Sequence, residues 1–168
     1  GILLASLGHP ITTMFKATGN ELIDWLMSKQ RLRYGGKVFE RKAGIKPLLK
    51  ATKAGYNCFY LPDEDHGPNK SIFTPFFATQ KATLPVLGKL AKLSKAKVIP
   101  MYIAYNSDKH CLDLYVLPIL ENYPSGDDYS DTKLMNKAVE QLIECAPEQY
   151  MWTLKLLKTR PEGEAKIY

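Results

Sequence analysis

The chain has 168 residues, 45% of them apolar and 24% charged, which suits one domain with a single hydrophobic core and excludes a disordered or fibrous chain. Lysine and arginine number 23 against 17 acidic residues, a net charge of +6. That excess favours an anionic partner without choosing among nucleic acid, phosphorylated lipid, anionic membrane and an acidic carrier protein. No apolar run approaches the roughly 18 residues that span a bilayer. The cysteines Cys58, Cys111 and Cys145 are widely spaced and odd in number. Without C-x-x-C spacing they support neither a zinc site nor a redox motif, and a reducing compartment is the simplest setting.

The chain opens on Gly1-Ile2-Leu3-Leu4-Ala5, which has no charged lead-in and so does not read as a signal peptide. Residues 2–5 are expected to form a short buried strand lying inside a longer chain. Asn20 precedes Leu22, Ile23, Leu26 and Met27, a cap followed by helical spacing that predicts a helix over 21–30. Residues 31–37 read as a basic, glycine-containing loop. Ile45, Leu48, Leu49 and Thr52, with Gly55 as the stop, predict a second helix. A strand over 57–61 leads into Pro62-Asp63-Glu64-Asp65-His66-Gly67-Pro68-Asn69-Lys70, a loop dense in turn formers and charge.

Residues 73–77 are apolar but interrupted by Pro75, which argues against a central strand. Leu87, Leu90, Ala91 and Leu93 predict a helix over 84–94. A strand over 98–105, a turn over 106–109 and a strand over 111–117 follow, and in the last Leu112, Leu114 and Val116 are expected to be the buried face. Asp131 is expected to cap a helix carrying Leu134, Met135, Ala138, Val139, Leu142 and Ile143. Pro147 can begin another. Strands alternate with helices, so the expected class is α/β, a central and mostly mixed sheet flanked by helices.

The common nucleotide, metalloprotease and hydrolase signatures are absent. His9 and His110 read as ordinary surface residues. His66 lies in the carboxylate-rich loop after a strand, where α/β proteins place function. Asp63, Glu64 and Asp65 fit metal binding, orientation of a base, or capping of a turn. Arg31, Arg33 and Lys37 fit a phosphate site, arginine offering a fork to its oxygens, or an exposed helix end whose cations complement the dipole.

Two segments near the end, Ala146-Pro147-Glu148-Gln149-Tyr150-Met151-Trp152 and Lys158-Thr159-Arg160-Pro161-Glu162-Gly163, resemble the closing signature of the late acyltransferases of lipid A biosynthesis, the lauroyl/myristoyl transferases of the glycerolipid acyltransferase group. The resemblance keeps the family's order elsewhere. It includes residues 20–26, Arg31-Leu32-Arg33 as the arginine motif, residues 62–67 as the aspartate loop, residues 73–78, and Met135-Asn136-Lys137.

The resemblance implies an acyltransferase-like fold over residues 1–168 and transfer of a lauroyl- or myristoyl-type chain from acyl carrier protein to a hydroxyl of a phosphorylated lipid A precursor. It implies a histidine base oriented by a carboxylate in a His-x-x-x-x-Asp/Glu motif, with donors for the developing oxyanion. That motif is not found: His9 is followed at the required spacing by Met14 and His66 by Ser71. A break in the chain between Ser6 and Leu7, with the motif in the gap, is therefore expected. By position, Arg31 and Asp65 are the catalytic candidates, and Lys16, Arg33, Asp63, His66 and Pro100 the substrate-binding ones. His66 replaces the aromatic residue common at its position, and Lys16 stands where the family often has arginine. No metal or organic cofactor is implied. The implied setting is the cytoplasmic face of the bacterial inner membrane, with an N-terminal anchor outside this chain. Nucleic acid is not expected as a partner, since the tyrosines fall in apolar strands and loops rather than among basic residues. The alternative is an acyltransferase-like lipid-binding domain without catalysis.

Overall fold

Three short parallel strands organise the N-terminal residues: β1 (Ile11–Phe15) lies between β2 (Lys37–Glu40) and β3 (Asn57–Cys58). In the computed structural model, which describes residues 1–168, the chain divides into two units: residues 1–61 with 93–96, and residues 62–92 with 97–168.

In the first unit, α1 (Ile2–Ser6) replaces the strand expected over residues 2–5. A short apolar run does not distinguish a buried strand from a buried helical turn. The Leu7 N–H donates to the carbonyls of Leu3 and Leu4 at the end of this helix. The helix α2 (Glu21–Leu32) begins where its cap predicts, the Asn20 side chain accepting from the N–H groups of Leu22 and Ile23, a contribution of about 1 kcal/mol. It runs on through Arg31, which shortens the expected basic loop. β2 begins at Lys37, the last residue of that loop, and its pattern is too short to signal itself.

The helix α3 (Lys46–Lys53) covers the sheet with buried Leu48 and Ala51. It ends at Gly55, whose φ of 94° only glycine adopts readily. The strand expected over 57–61 contracts to β3, held through Asn57 N–H to the Pro10 carbonyl.

The second unit is built on two antiparallel hairpins. The first joins β4 (Ile72–Phe76) to β5 (Thr79–Thr83). Pro75 is accommodated because a two-stranded sheet has only edges. The turn is tight, with Phe77 at a φ of 49° and its N–H donating to Glu140 Oε1 at 2.7 Å. The second hairpin joins β6 (Met101–Asn106) to β7 (Cys111–Val116) through the expected turn, where Asn106 Oδ1 accepts from the N–H groups of Asp108 and Lys109. The α/β class holds, with parallel and antiparallel pairing distributed over three small sheets flanked by helices.

The burial of β7 is the reverse of expectation. Leu112, Leu114 and Val116 are exposed. Register explains this. Ala104 is buried, opposite Asp113, and Tyr102, opposite Tyr115, reaches the Ala146 carbonyl with its hydroxyl. β6 is apolar on both faces, so its choice of inner face fixes that of β7. The free edge of β6 is clipped by Gln149, which accepts from the Tyr105 N–H at 2.7 Å and donates to the Tyr105 carbonyl at 2.8 Å.

Between the hairpins in sequence lies α4 (Leu87–Ser94), shorter than expected. The long helix α5 (Asp128–Glu144) is capped by Asp127 rather than Asp131, through Asp127 Oδ2 and the Ser130 N–H. Asp131 is instead buried in the first turn, accepting from the Ser125 N–H and hydroxyl. Pro147 opens a single 3-10 turn, Pro147–Gln149, rather than a helix.

The helix α5 packs on β4. Phe76, Ile143 and Leu156 form the core there, flanked by Val139, Tyr150 and Leu157. Asn136 crosses this junction at 1% exposure. Its amide nitrogen meets Thr74 Oγ1 at 2.9 Å, the Pro75 carbonyl at 3.1 Å and Thr83 Oγ1 at 3.2 Å. Replacing it with alanine would strand buried hydroxyls, at a cost on the order of 2 kcal/mol. In urea unfolding, Asn136→Ala is expected to lower the unfolding free energy by that amount, while the exposed neighbour Lys137→Ala stays within about 0.5 kcal/mol of the parent.

Candidate active site

The candidates divide between the two units. In the first, β1 ends at Phe15, and the Arg31 guanidinium, carried by the last turn of α2, stands over the Phe15 ring at 5.8 Å. This places Arg31 at the carboxyl edge of a parallel sheet, where open α/β sheets hold ligands. Arg31 is half-buried and no protein acceptor takes its N–H donors. Opposite Phe15 in register is Glu40 at the end of β2, paired with Lys42 at 2.8 Å. Lys16 follows β1 directly and is exposed. Arg33 lies at the C-cap of α2, over the Tyr34 ring at 5.6 Å.

In the second unit, Asp63 and Asp65 come together around a buried cation. Lys81, on β5, is 1% exposed. Its Nζ lies 3.4 Å from the Pro62 carbonyl and 3.5 Å from Thr83 Oγ1, and 5.4 Å from the Phe76 ring centre. Burial holds the ammonium below the usual lysine range, and the charges of Asp63 and Asp65 act against that fall.

Both carboxylates are occupied by the protein. Asp63 Oδ2 accepts from the Tyr150 hydroxyl at 3.1 Å. Burial, together with the Asp63 charge, pushes the Tyr150 phenol well above its usual range. Asp65 Oδ1 accepts from the Gly67 N–H at 2.8 Å and the Thr159 hydroxyl at 2.8 Å, and its Oδ2 from the Thr159 N–H at 2.7 Å. Burial opposes ionisation of Asp65. The three hydrogen bonds and the Lys81 charge outweigh it and hold the carboxyl below the usual carboxylate range.

Arg160 continues the tie, donating from Nη1 to the Gln80 carbonyl and from Nη2 to Thr79 Oγ1 at 2.8 Å each, and pairing with Glu164. His66 is exposed, its Nε2 4.0 Å from Glu64 Oε2. Pro100 precedes β6 and accepts from the Leu117 N–H through its carbonyl. No three His, Cys, Asp or Glu side chains converge in a way that could hold a metal ion.

Sequence reasoning assigned no role to Lys81, Tyr150, Thr159 or Arg160. Tyr150, Thr159 and Arg160 lie within the quoted closing segments, so the signal for their importance was present. Lys81 had none, being one lysine in a polar stretch.

Acid unfolding tests the Asp65 arrangement. A carboxyl whose folded pKa lies below its unfolded value, near 3.8, stabilises the fold above that value, and the contribution is lost as pH falls through the folded one. Asp65→Asn is therefore expected to be less stable than the parent at pH 6. The gap in thermal midpoint should narrow steadily on acidification below about pH 4. A gap that stays constant with pH contradicts this account of the Asp65 charge.

The profile of the bacterial lipid A biosynthesis acyltransferase family matches residues 1–159. The chain is 42% identical over 167 residues to the lipid A biosynthesis myristoyltransferase of Escherichia coli K12, covering 99% of this chain and 52% of that protein. It is 45% identical over 164 residues to a lipid A biosynthesis acyltransferase of Haemophilus influenzae, covering 98% and 51%. It is 39% identical over 161 residues to the lipid A biosynthesis lauroyltransferase of E. coli K12, covering 95% and 52%. The chain thus spans about half the length of the curated relatives it matches. With the aspartate loop, Asn136 and the closing segments occupying one hydrogen-bonded assembly and the profile running through nearly the whole sequence, the chain belongs to the bacterial lipid A biosynthesis acyltransferase family.

Proposed function

We propose that this chain is part of an enzyme that transfers a fatty acyl group, of the lauroyl or myristoyl type, from acyl carrier protein to a hydroxyl of a lipid A precursor. The observation that carries the reading is the meeting of segments far apart in sequence. Asp63 meets Tyr150, Asp65 meets Thr159, and Asn136 meets Thr74 and Thr83. The residues that make the sequence resemble the family are the residues that hold one another in place. The names of the relatives, which specify myristoyl-, lauroyl- and palmitoleoyl-transfer, support the reaction class.

In this reading the acceptor hydroxyl oxygen attacks the thioester carbonyl, a base takes its proton, and the carrier thiol leaves. The base is a histidine oriented by a carboxylate and belongs to residues that this chain does not include. Arg31 supplies what Asp65 does not, namely unfilled hydrogen-bond capacity. It holds the oxyanion or an acceptor phosphate through its planar fork, with Lys16 and Arg33 adding positive charge. Asp63 and Asp65 fix the shape of the loop that carries them, and in this reading that loop, with His66, and Pro100 contact the acceptor. The acceptor, the acidic carrier and an inner-membrane cytoplasmic surface are all anionic, in keeping with the charge of +6.

The test is transfer of a labelled acyl chain from acyl carrier protein to a lipid A precursor by the complete protein. Arg31→Ala is expected to lower kcat/KM on the order of 10²-fold with an unchanged unfolding midpoint. Arg31→Lys should recover only part of this, since an ammonium has no fork. Asp65→Asn should lower activity and stability together. Binding of the precursor without any transfer by the parent protein would sink the enzymatic reading and leave a lipid-binding domain.

A further inference from the structure

The helix α2 is turned inside out. Its half-buried residues are Asp24, Ser28 and Arg31, a polar row at i, i+4 and i+7 facing the body of its unit. No residue of α2 is fully buried. Its apolar residues point away from that body: Leu22 is 71% exposed, Ile23 47%, Trp25 57%, Leu26 49% and Met27 45%. Spacing that predicts an ordinary core-facing helix has produced an apolar outer surface. Contiguous exposed apolar surface of this kind marks an interaction site.

The charges on that surface point to its occupant. Lys29 lies among the apolar residues, its Nζ 4.7 Å from the Trp25 ring centre. Arg33 and Lys37 are exposed beyond the helix end, and Lys16 is exposed after β1. Of the acidic residues, Asp24 is engaged by the N–H and hydroxyl of Thr18, and Glu21 stands at the start of the helix. Protein interfaces deplete lysine from their apolar centres. A lipid interface accepts it, because the stem lies along apolar groups while the ammonium rises to the phosphates. Tryptophan and tyrosine, here Trp25 and Tyr34, suit the same boundary. Twelve residues are too few to cross a bilayer, but they are enough to lie in its surface.

We infer that α2 docks flat into an anionic phospholipid surface, with Leu22, Ile23, Trp25, Leu26 and Met27 entering the acyl boundary and Lys29, Arg33 and Lys37 on the headgroups. This deepens the membrane-surface part of the proposed function and rests on that part alone, not on the acyl-transfer chemistry. It also sets an orientation. Arg31 shares the last turn of α2, so the candidate oxyanion or phosphate ligand lies just inside the membrane-facing surface, where a lipid acceptor enters.

The test places a bimane label on Leu26→Cys in the complete protein, with the exposed Cys111 and Cys145 replaced by alanine. Cys58 is half-buried and its thiol is pushed up to about 11 by burial, so it labels slowly at neutral pH. The unlabelled-site parent corrects for the remainder. Vesicles of phosphatidylethanolamine and phosphatidylglycerol, with and without brominated acyl chains, are added without donor or acceptor. Bromine is expected to quench the label at residue 26 by about half or more, to quench it less in phosphatidylcholine vesicles, and to leave a control label on Lys133→Cys of α5 unchanged. A second label on Ile23→Cys repeats the measurement, should the first perturb the helix. Absence of quenching at both positions overturns the inference, as does equal quenching at Lys133→Cys. So does a label already shielded without lipid, which would mean that protein covers α2. Acyl transfer by the same labelled protein in detergent reports separately on the proposed reaction.

Discussion

A buried lysine ammonium within the field of two aspartates is the constraint around which the second unit is organised. Removing a charge from water costs several kcal/mol unless partners compensate. Lys81 obtains only partial compensation from the Pro62 carbonyl, the Thr83 hydroxyl and the Phe76 ring. The charges of Asp63 and Asp65 add to it, although burial still outweighs them. Asp65 stays ionised beside a protein interior because Gly67 and Thr159 donate to it and the Lys81 charge adds to them, while Tyr150 donates to Asp63. Four stretches of chain, around residues 62–67, 81, 150 and 159, therefore depend on one another. A change to any one leaves a charge or a donor elsewhere without its partner.

The same chemistry separates two kinds of candidate residue. Asp65 has its oxygens filled by the protein, so its influence on a ligand passes through the shape of the loop it fixes. Arg31 stacks on Phe15 and leaves its donors unfilled. Residue type alone would have ranked the two as equals. Hydrogen-bond accounting distinguishes the group built into the wall from the group open to a ligand.

What was legible in the sequence had local causes. The Asn20 cap, the Gly55 stop and the Asn106 turn each depend on contacts within a few residues, and all appear in the structure. The family segments were legible too, although their roles were not, because Thr159 and Asp65 are 94 positions apart. Misreadings came from choices made at longer range. Residues 2–5 carry an apolar run that fits strand or helix, and they took the helix. The inner face of β7 was set by its partner strand, and the outward turn of α2 reverses the usual meaning of its periodicity. The Phe77 turn has no glycine or asparagine to announce it, so β5 and its Lys81 passed unseen.

The Gln149 side chain shows what a primary amide can do for a β-hairpin. A strand edge left with paired donor and acceptor groups is a template on which another chain can extend the sheet. At Tyr105 both groups are taken by one glutamine side chain, with the geometry of a missing neighbouring strand. Exposed Leu112, Leu114 and Val116 make the same hairpin apolar on its outer face, which raises its tendency to self-associate while the chain is being made. A single residue of the closing signature thus limits how far such stacking can grow.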